Sequence, residues 1–189
     1  MYEPLQDTLY FRFAEASDID QIFSLEAEGY PADEAASKAA LHFRQENARE
    51  AFLVAVKQNS SKDGEYSAPE TCELIVGYIC ATLTAAGSLT QECMQSHDPE
   101  GNLLCIHSVC VERTHRRKGI AKRMLKGYSV MIRNMLTQVQ SIHLLCKEGL
   151  IELYKNAGFQ LLGPSSVVHG KEQWFEMRQI VRSEACAEN

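Results

Sequence analysis

The sequence predicts an α/β (α+β) domain on a central mixed β-sheet, and three observations carry that prediction. Apolar, β-branched runs of strand length alternate with segments whose apolar residues recur every three or four positions. The 189 residues suffice for one sizeable core, with 45% apolar and 23% charged residues in ordinary globular proportion. No internal repeat or compositional break marks a second domain, so 1–189 reads as a single domain with its core over about 9–181 and a polar tail over 182–189.

Taken in order, Leu9 to Phe13 alternates as a first strand. Ser17 or Asp18 then caps a helix whose apolar positions are Ile19, Ile22, Phe23 and Leu25, ended by Tyr30-Pro31. Asp33 to Ala51 forms a second helical stretch with Leu41 and Phe43 inward, and Ala51 to Val56 a strand. Gln58 to Pro69, polar and rich in Ser, Lys and Asp, reads as a mobile loop. Leu74 to Leu83 is a strand in which Gly77 marks a bulge or a close backbone approach. A long connection over Ala85 to Asn102 carries a short helix around Thr90 to Gln95. Later come a strand over Ile142 to Cys146, a short helix over Leu150 to Asn156 stopped by Gly158, a strand from Phe159 to Leu162, and a last strand over Glu172 to Ile180 around Trp174, Phe175 and Met177.

Between these lies the most informative stretch. Leu104 to Val111 is β-branched and apolar, as suits a strand covered on both faces. Ile120, Met124, Tyr128, Met131 and Met135 then recur at helical spacing, with Leu125, Ile132 and Leu136 beside them. The turn that opens this helix carries Arg116-x-x-Gly119-x-Ala121 among Arg113, Arg117, Lys118, Lys122, Arg123 and Lys126, with no acid from Arg113 through Lys126. First-turn amides lack intrahelical acceptors and the helix dipole is positive there, so such a turn favours anionic oxygens, and Gly119 and Ala121 leave room for a phosphate. A solvated basic helix with a glycine in its first turn is the plainer alternative.

The formal net charge is −6 and the pI about 5.5, which argues against general nucleic-acid binding while leaving a local anionic ligand open. No basic n-region precedes an apolar run and no apolar stretch is long enough to span a bilayer, so a soluble, cytoplasmic protein is expected. Seven cysteines, at 72, 80, 93, 105, 110, 146 and 186, include no Cys-x-x-Cys pair. Neither a disulfide framework nor a zinc site is expected, and Cys80, Cys105, Cys110 and Cys146 read as reduced, buried hydrophobes.

The Arg-x-x-Gly-x-Ala turn between strand and helix resembles the acyl-CoA pyrophosphate loop of the GNAT superfamily of N-acetyltransferases, and the order of elements is similar to theirs over nearly the whole chain. Leu89-Thr90-Gln91-Glu92, then Ile106-His107-Ser108-Val109-Cys110-Val111, the basic loop, and Leu150-Ile151-Glu152-Leu153-Tyr154-Lys155-Asn156-Ala157-Gly158-Phe159 resemble the landmarks of the serotonin (arylalkylamine) N-acetyltransferase family. The resemblance implies a GNAT fold, a twisted mixed sheet flanked by helices, with acetyl-CoA as co-substrate and no metal. It implies that the main chain of Val109, Cys110 and Val111 pairs with the pantetheine arm, and that Arg116, Arg117, Lys118, Gly119, Ile120, Ala121 and Lys122 hold the pyrophosphate.

The same resemblance suggests the catalytic groups. An alkylamine is mostly protonated at neutral pH, so its proton needs a way out, and the departing CoA thiolate needs one supplied. His107 matches the second of two histidines that act on the amine through water in the vertebrate enzymes; the first is Cys105 here. Glu34 lies where insect relatives place a catalytic glutamate and is the second candidate base. Tyr154 matches the tyrosine that protonates the leaving thiolate, and a phenol with an ordinary pKa near 10 is protonated at work. Tyr30, Pro31, Leu145 and Tyr154 are the expected acceptor contacts. His115 and His143 suggest no partner. The plain alternatives are a satisfied strand histidine, a solvated helix-start acid and a packing tyrosine.

The leading expectation is direct acetyl transfer to an arylalkylamine, with a small-molecule amine and acetyl-CoA as partners, no nucleic acid, no membrane, and a monomer favoured. Polyamine acetylation is the alternative, because Glu26, Glu28, Asp33 and Glu34 could attract a dication. Acetylation of a protein lysine or N-terminus is a further one, and a CoA-binding module without turnover is the reading outside enzymology.

Overall fold

The computed structural model describes residues 8–60, 71–90, 92–167 and 170–182. Most of the expected mobile loop, Gln91 of the expected short helix, and Cys186 with nearly all of the polar tail lie outside the described residues.

Seven strands form one mixed sheet in the order β1-β2-β3-β4-β5-β7-β6. Strands β1 (Thr8–Phe13), β2 (Phe52–Ser60), β3 (Thr71–Thr84) and β4 (Leu103–Val111) run antiparallel to one another. Strand β5 (Ser141–Cys146) joins β4 in parallel, and β7 (Phe175–Ile180) with β6 (Gln160–Pro164) completes the far edge antiparallel. Phe52, Val54 and Val56 face the cluster shared with helices α1 (Ile19–Gly29) and α2 (Lys38–Asn47), while Leu53 and Ala55 face that of α3 (Ile120–Met135) and α4 (Ile151–Ala157). Side-chain alternation thus makes the sheet apolar on both faces, as a helix-covered sheet requires. No helix among the described residues is long and apolar enough to cross a membrane.

Several elements differ from expectation for local reasons. Asp18 does not cap α1 with its side chain; it accepts from the Glu15 amide at 2.7 Å and pairs with Arg12 at 2.6 Å, closing a 3-10 turn over Ala16–Asp18. Phe23 is 37% exposed, because the inward stripe of α1 runs through Ile19, Ile22, Leu25 and Glu26 and leaves position 23 on its rim. Helix α2 starts at Lys38 rather than Asp33: the Pro31 carbonyl accepts from the Glu34 and Ala35 amides in a separate turn, and Ser37 caps the helix by accepting from the Ala40 amide. Phe43 is only half-buried and Met135, on the last residue of α3, is 52% exposed. Gln58 to Ser60, expected in a loop, extend β2, and the short helix of the long connection is a 3-10 turn over Glu92–Met94.

Two irregularities in the central strands shape the site. Gly77 is a point of close approach: a Cβ there would lie 2.8 Å from the Cys110 carbonyl oxygen and 3.1 Å from the Met124 sulfur. Further along, Cys80 pairs with Ser108 and Ala81 with Ile106, so His107 is the extra residue of a β-bulge in β4. Bulges re-aim side chains.

Candidate active site

Strands β4 and β5 pair only from Leu103 opposite Ser141 to Ile106 opposite Leu144. Beyond Ile106 that edge of β4 has no strand partner among the described residues, and a gap opens beside Val109. The Tyr30 hydroxyl donates to the Val109 carbonyl and accepts from the Val109 amide, 3.1 Å each. Cys110 and Val111 are buried, with the Cys110 thiol donating to the Leu25 carbonyl.

A cavity of about 100 Å³ adjoins this gap, lined by Tyr30, Glu34, Leu145 and His107 among the sequence-predicted residues. A water needs roughly 10–15 Å³ by this measure, so there is room for several. The bulge presents His107 to the cavity, with its Nε2 2.7 Å from the Thr82 hydroxyl. Thr82 spends its single proton on the Cys93 carbonyl, 2.8 Å away, so its oxygen accepts from Nε2–H and the lone pair resides on Nδ1. Burial, and secondarily the charge of Arg44, hold the imidazole well below its ordinary pKa. His107 is therefore neutral at neutral pH.

Glu34 is brought to the cavity, but in an ion pair. Its Oε1 lies 2.6 Å from Lys147 Nζ, and Lys147 also pairs with Glu172 at 3.1 Å and sits 4.2 Å from the centre of the Trp174 ring. Pro31 is exposed and does not line the cavity; its carbonyl holds the turn that carries Glu34. Of the other acids expected near the acceptor, Glu28 and Asp33 are exposed while Glu26 lines the wall. Glu26 Oε1 accepts from the Ala36 amide at 2.7 Å and the Ser108 hydroxyl at 3.2 Å, and Tyr78 donates to its Oε2.

Tyr154 lies outside the cavity wall but is coupled electrostatically to Tyr30, which lines it. Its ring packs edge-on against Phe159, with centroids 6.0 Å apart, and its hydroxyl has no hydrogen-bond partner among the described residues. Burial, with a smaller contribution from Cys146, raises its pKa, so the phenol stays protonated. Sequence reasoning missed Arg44, Thr82 and Lys147, each of which reaches the site from a distant element; the signal for Arg44 was a charge at an inward helical position, three residues after Leu41.

The basic loop takes the expected form. Arg117 and Gly119 adopt positive φ, 63° and 77°, and a Cβ on Gly119 would meet nothing within 4 Å. The first bond of α3 runs from the Arg123 amide to the Gly119 carbonyl, 3.1 Å, leaving the amides of Ile120, Ala121 and Lys122 without intrahelical acceptors. Arg117, Lys118 and Lys122 are exposed around them, the Ile120 side chain is buried, Ala121 is partly buried, and Arg116 donates from Nε to the Val111 carbonyl at 2.9 Å, tying loop to strand. His115 and His143 do have partners: their Nδ1 atoms lie 2.6 Å from Glu112 and 2.9 Å from Glu176. Among the described residues no group of three His, Cys, Asp or Glu side chains could hold a metal ion.

The family model described as "Acetyltransferase (GNAT) family" matches residues 19–159. The chain is similar to serotonin N-acetyltransferase of Mesocricetus auratus, 30% identical over 113 residues that cover 59% of this chain and 53% of that one. It thus spans about half the length of the curated relatives it matches. Among solved structures it is similar to the GphF GNAT-like decarboxylase in complex with isobutyryl-CoA, with TM-score 0.68 and 19% identity, covering 92% of this chain and 100% of that one. It is also similar to a spermidine N-acetyltransferase SpeG chimera from Vibrio cholerae and hSSAT, with TM-score 0.59 and 15% identity, covering 92% and 95%. At these identities the structures share the fold.

Proposed function

From its place in the GNAT acetyltransferase family, to which the chain belongs, we propose that it transfers the acetyl group of acetyl-CoA to the primary amine of an arylalkylamine. The observation that carries this reading is the placement of His107, set by a β-bulge into a cavity beside the open edge of β4. The similarity to serotonin N-acetyltransferase supports the acceptor class, as do Trp174, Leu145, Leu89 and Met94 in the cavity wall, which offer an aryl group apolar contact.

The residues present fit acetyl-CoA, which supplies an acetyl thioester when bound. Val109 to Val111 would pair by main chain with its amide-bearing arm, and Arg116 to Lys122 would hold the pyrophosphate through first-turn amides and side-chain cations. The open space over Gly119 is the observation that admits a phosphate there. His107 takes the ammonium proton through water at Nδ1, leaving a neutral amine to attack. Tyr154 gives its hydroxyl proton to the departing thiolate sulfur and is restored by the proton that the nitrogen sheds on becoming an amide. Among the described residues no cysteine lines the cavity, which favours direct transfer over an acetylated enzyme. Glu34, held by Lys147, shapes the wall rather than moving protons. The protein works with small molecules, and Cys105 in place of a first histidine leaves proton removal to His107 and water.

Polyamine acetylation is the second reading, favoured by the spermidine acetyltransferase fold neighbour and by Glu26 in the wall. Initial rates of thiol release at fixed acetyl-CoA with tryptamine, phenethylamine, spermidine and putrescine test the choice. The arylalkylamine reading expects the aromatic amines to lead by tenfold or more in kcat/KM, equivalent to about 1.4 kcal/mol; a lead for the polyamines would overturn it.

A further inference from the structure

Arg44 is 4% exposed and lines the acceptor cavity. Its guanidinium makes two modest hydrogen bonds, from Nη1 to the Cys80 sulfur at 3.6 Å and from Nη2 to the Met94 carbonyl at 3.3 Å. Among the described residues its Nε has no partner and no carboxylate lies within ion-pair distance. A guanidinium offers five N–H donors and is always charged, so most of its bonding capacity is unspent. A buried charge without a counter-ion costs several kcal/mol, and its retention calls for a reason. Bridging α2 to the 3-10 turn at Met94 would need only a neutral donor. Keeping His107 neutral does not require it either, because burial is the larger cause there.

The cavity supplies the reason in its other groups. Glu34 is paired with Lys147. Glu26 accepts from neutral donors, the Ala36 amide and the Ser108 and Tyr78 hydroxyls, and no cation pairs with it among the described residues. One wall thus holds an acid without a cation and a cation without an acid. A simple amine would satisfy the first and leave the second. A polyamine would add a like charge beside Arg44.

We infer that the acceptor is an arylalkylamine bearing a carboxylate beside its amine, an aromatic amino acid in chemical class, with Arg44 receiving the carboxylate. The inference rests on the acetyl-transfer reading for its turnover but not for its binding. Arg44 engages the carboxylate through its planar fork, as guanidinium groups do; Glu26 faces the ammonium end, and Trp174 and Leu145 contact the ring. The atoms balance as for any ammonium: the nitrogen gains the acetyl group and loses two protons, one through His107 and water before attack and one that replaces the proton Tyr154 gives to the CoA sulfur, and CoA leaves as a thiol.

The test compares phenylalanine with phenylalaninamide and phenethylamine, and tryptophan with tryptamine, in wild type and in Arg44→Gln and Arg44→Lys. Wild type is expected to favour each acid over its amide or descarboxy analogue by tenfold or more in kcat/KM, and Arg44→Gln to collapse that ratio to within about twofold, with Arg44→Lys in between. Parity in wild type, or a ratio that Arg44→Gln leaves unmoved, would overturn the inference. The wild-type comparison needs no variant to fold, and CoA affinity reports whether each variant does. Calorimetric binding of N-acetylphenylalanine in the presence of CoA separates the two levels. Arg44-dependent binding without turnover of any amine keeps the carboxylate site and overturns acetyl transfer. Turnover of plain amines without preference for acids does the reverse.

Discussion

The Tyr30 hydroxyl bridges the amide and the carbonyl of Val109, 3.1 Å from each, inside the gap where β4 parts from β5. It occupies the two main-chain groups on which an amide-bearing arm would pair. Burial foremost, then the neighbouring Tyr154 and Glu26, raises the Tyr30 pKa well above 10, so the bridge persists at any working pH. On the proposed reading, an arm pairing with Val109 would displace this hydroxyl.

Tyr30→Phe is therefore expected to tighten CoA binding. Each of the two hydrogen bonds is worth about 0.5–1.5 kcal/mol net, so the dissociation constant should fall by roughly fivefold or more. Calorimetry measures it. Weaker binding would mean that the hydroxyl contacts the ligand rather than standing in for it.

Gly119→Val should weaken CoA binding at least tenfold. At φ 77° a β-branched residue costs roughly 1–2 kcal/mol in this region, and its methyl groups would fill the space left for phosphate. CoA titration with a parallel denaturation curve separates the two effects; unchanged affinity would remove the loop from the site.

Lys147→Met removes an ion pair to Glu34, whose side chain is 5% exposed, together with the pair to Glu172 and the contact with the Trp174 ring, and should cost about 2 kcal/mol of stability. Glu34→Gln should keep kcat within threefold of wild type, as fits a wall residue. A hundredfold loss of kcat in Glu34→Gln, with the fold intact, would move the base from His107 to Glu34.

The depressed pKa of His107 makes stability pH-dependent with a definite sign. The unfolded chain takes up a proton below about pH 6.5, whereas the folded chain resists it until well below that value. Stability contributed by the neutral form is thus full above pH 6.5 and lost as pH falls. Between pH 7.5 and 5.5 wild type should lose about 1.4 kcal/mol more than His107→Gln in chemical denaturation. Parallel profiles would mean that the imidazole titrates as if exposed.

The fold was legible because its signals are local. Helix α3 shows its buried stripe from Ile120 to Ile132 by spacing alone, and Gly158, at φ 104°, stops α4 where its lack of a Cβ allows. The basic loop was legible for the same reason, as one continuous run from Arg113 to Lys126. The cavity was not. His107 enters it through a bulge set by the register of β3 against β4, which no periodicity reveals. Glu34 looked like a helix-start acid, and only the fold brings Lys147, 113 residues away, to its side. Phe23 and Met135 were misplaced because a period of 3.6 identifies a stripe but not its rim or its last residue.

The most direct test of acetyl transfer at this site is free-thiol release from acetyl-CoA with an aromatic amine or amino acid, in wild type, His107→Ala and Tyr154→Phe, with CoA affinity as the control for folding. General acid and base groups contribute roughly 10²–10⁴-fold each, so both variants should lose at least a hundredfold in kcat while binding CoA as wild type does. Turnover in both variants within a few-fold of wild type would contradict the assignment of the chemistry to His107 and Tyr154.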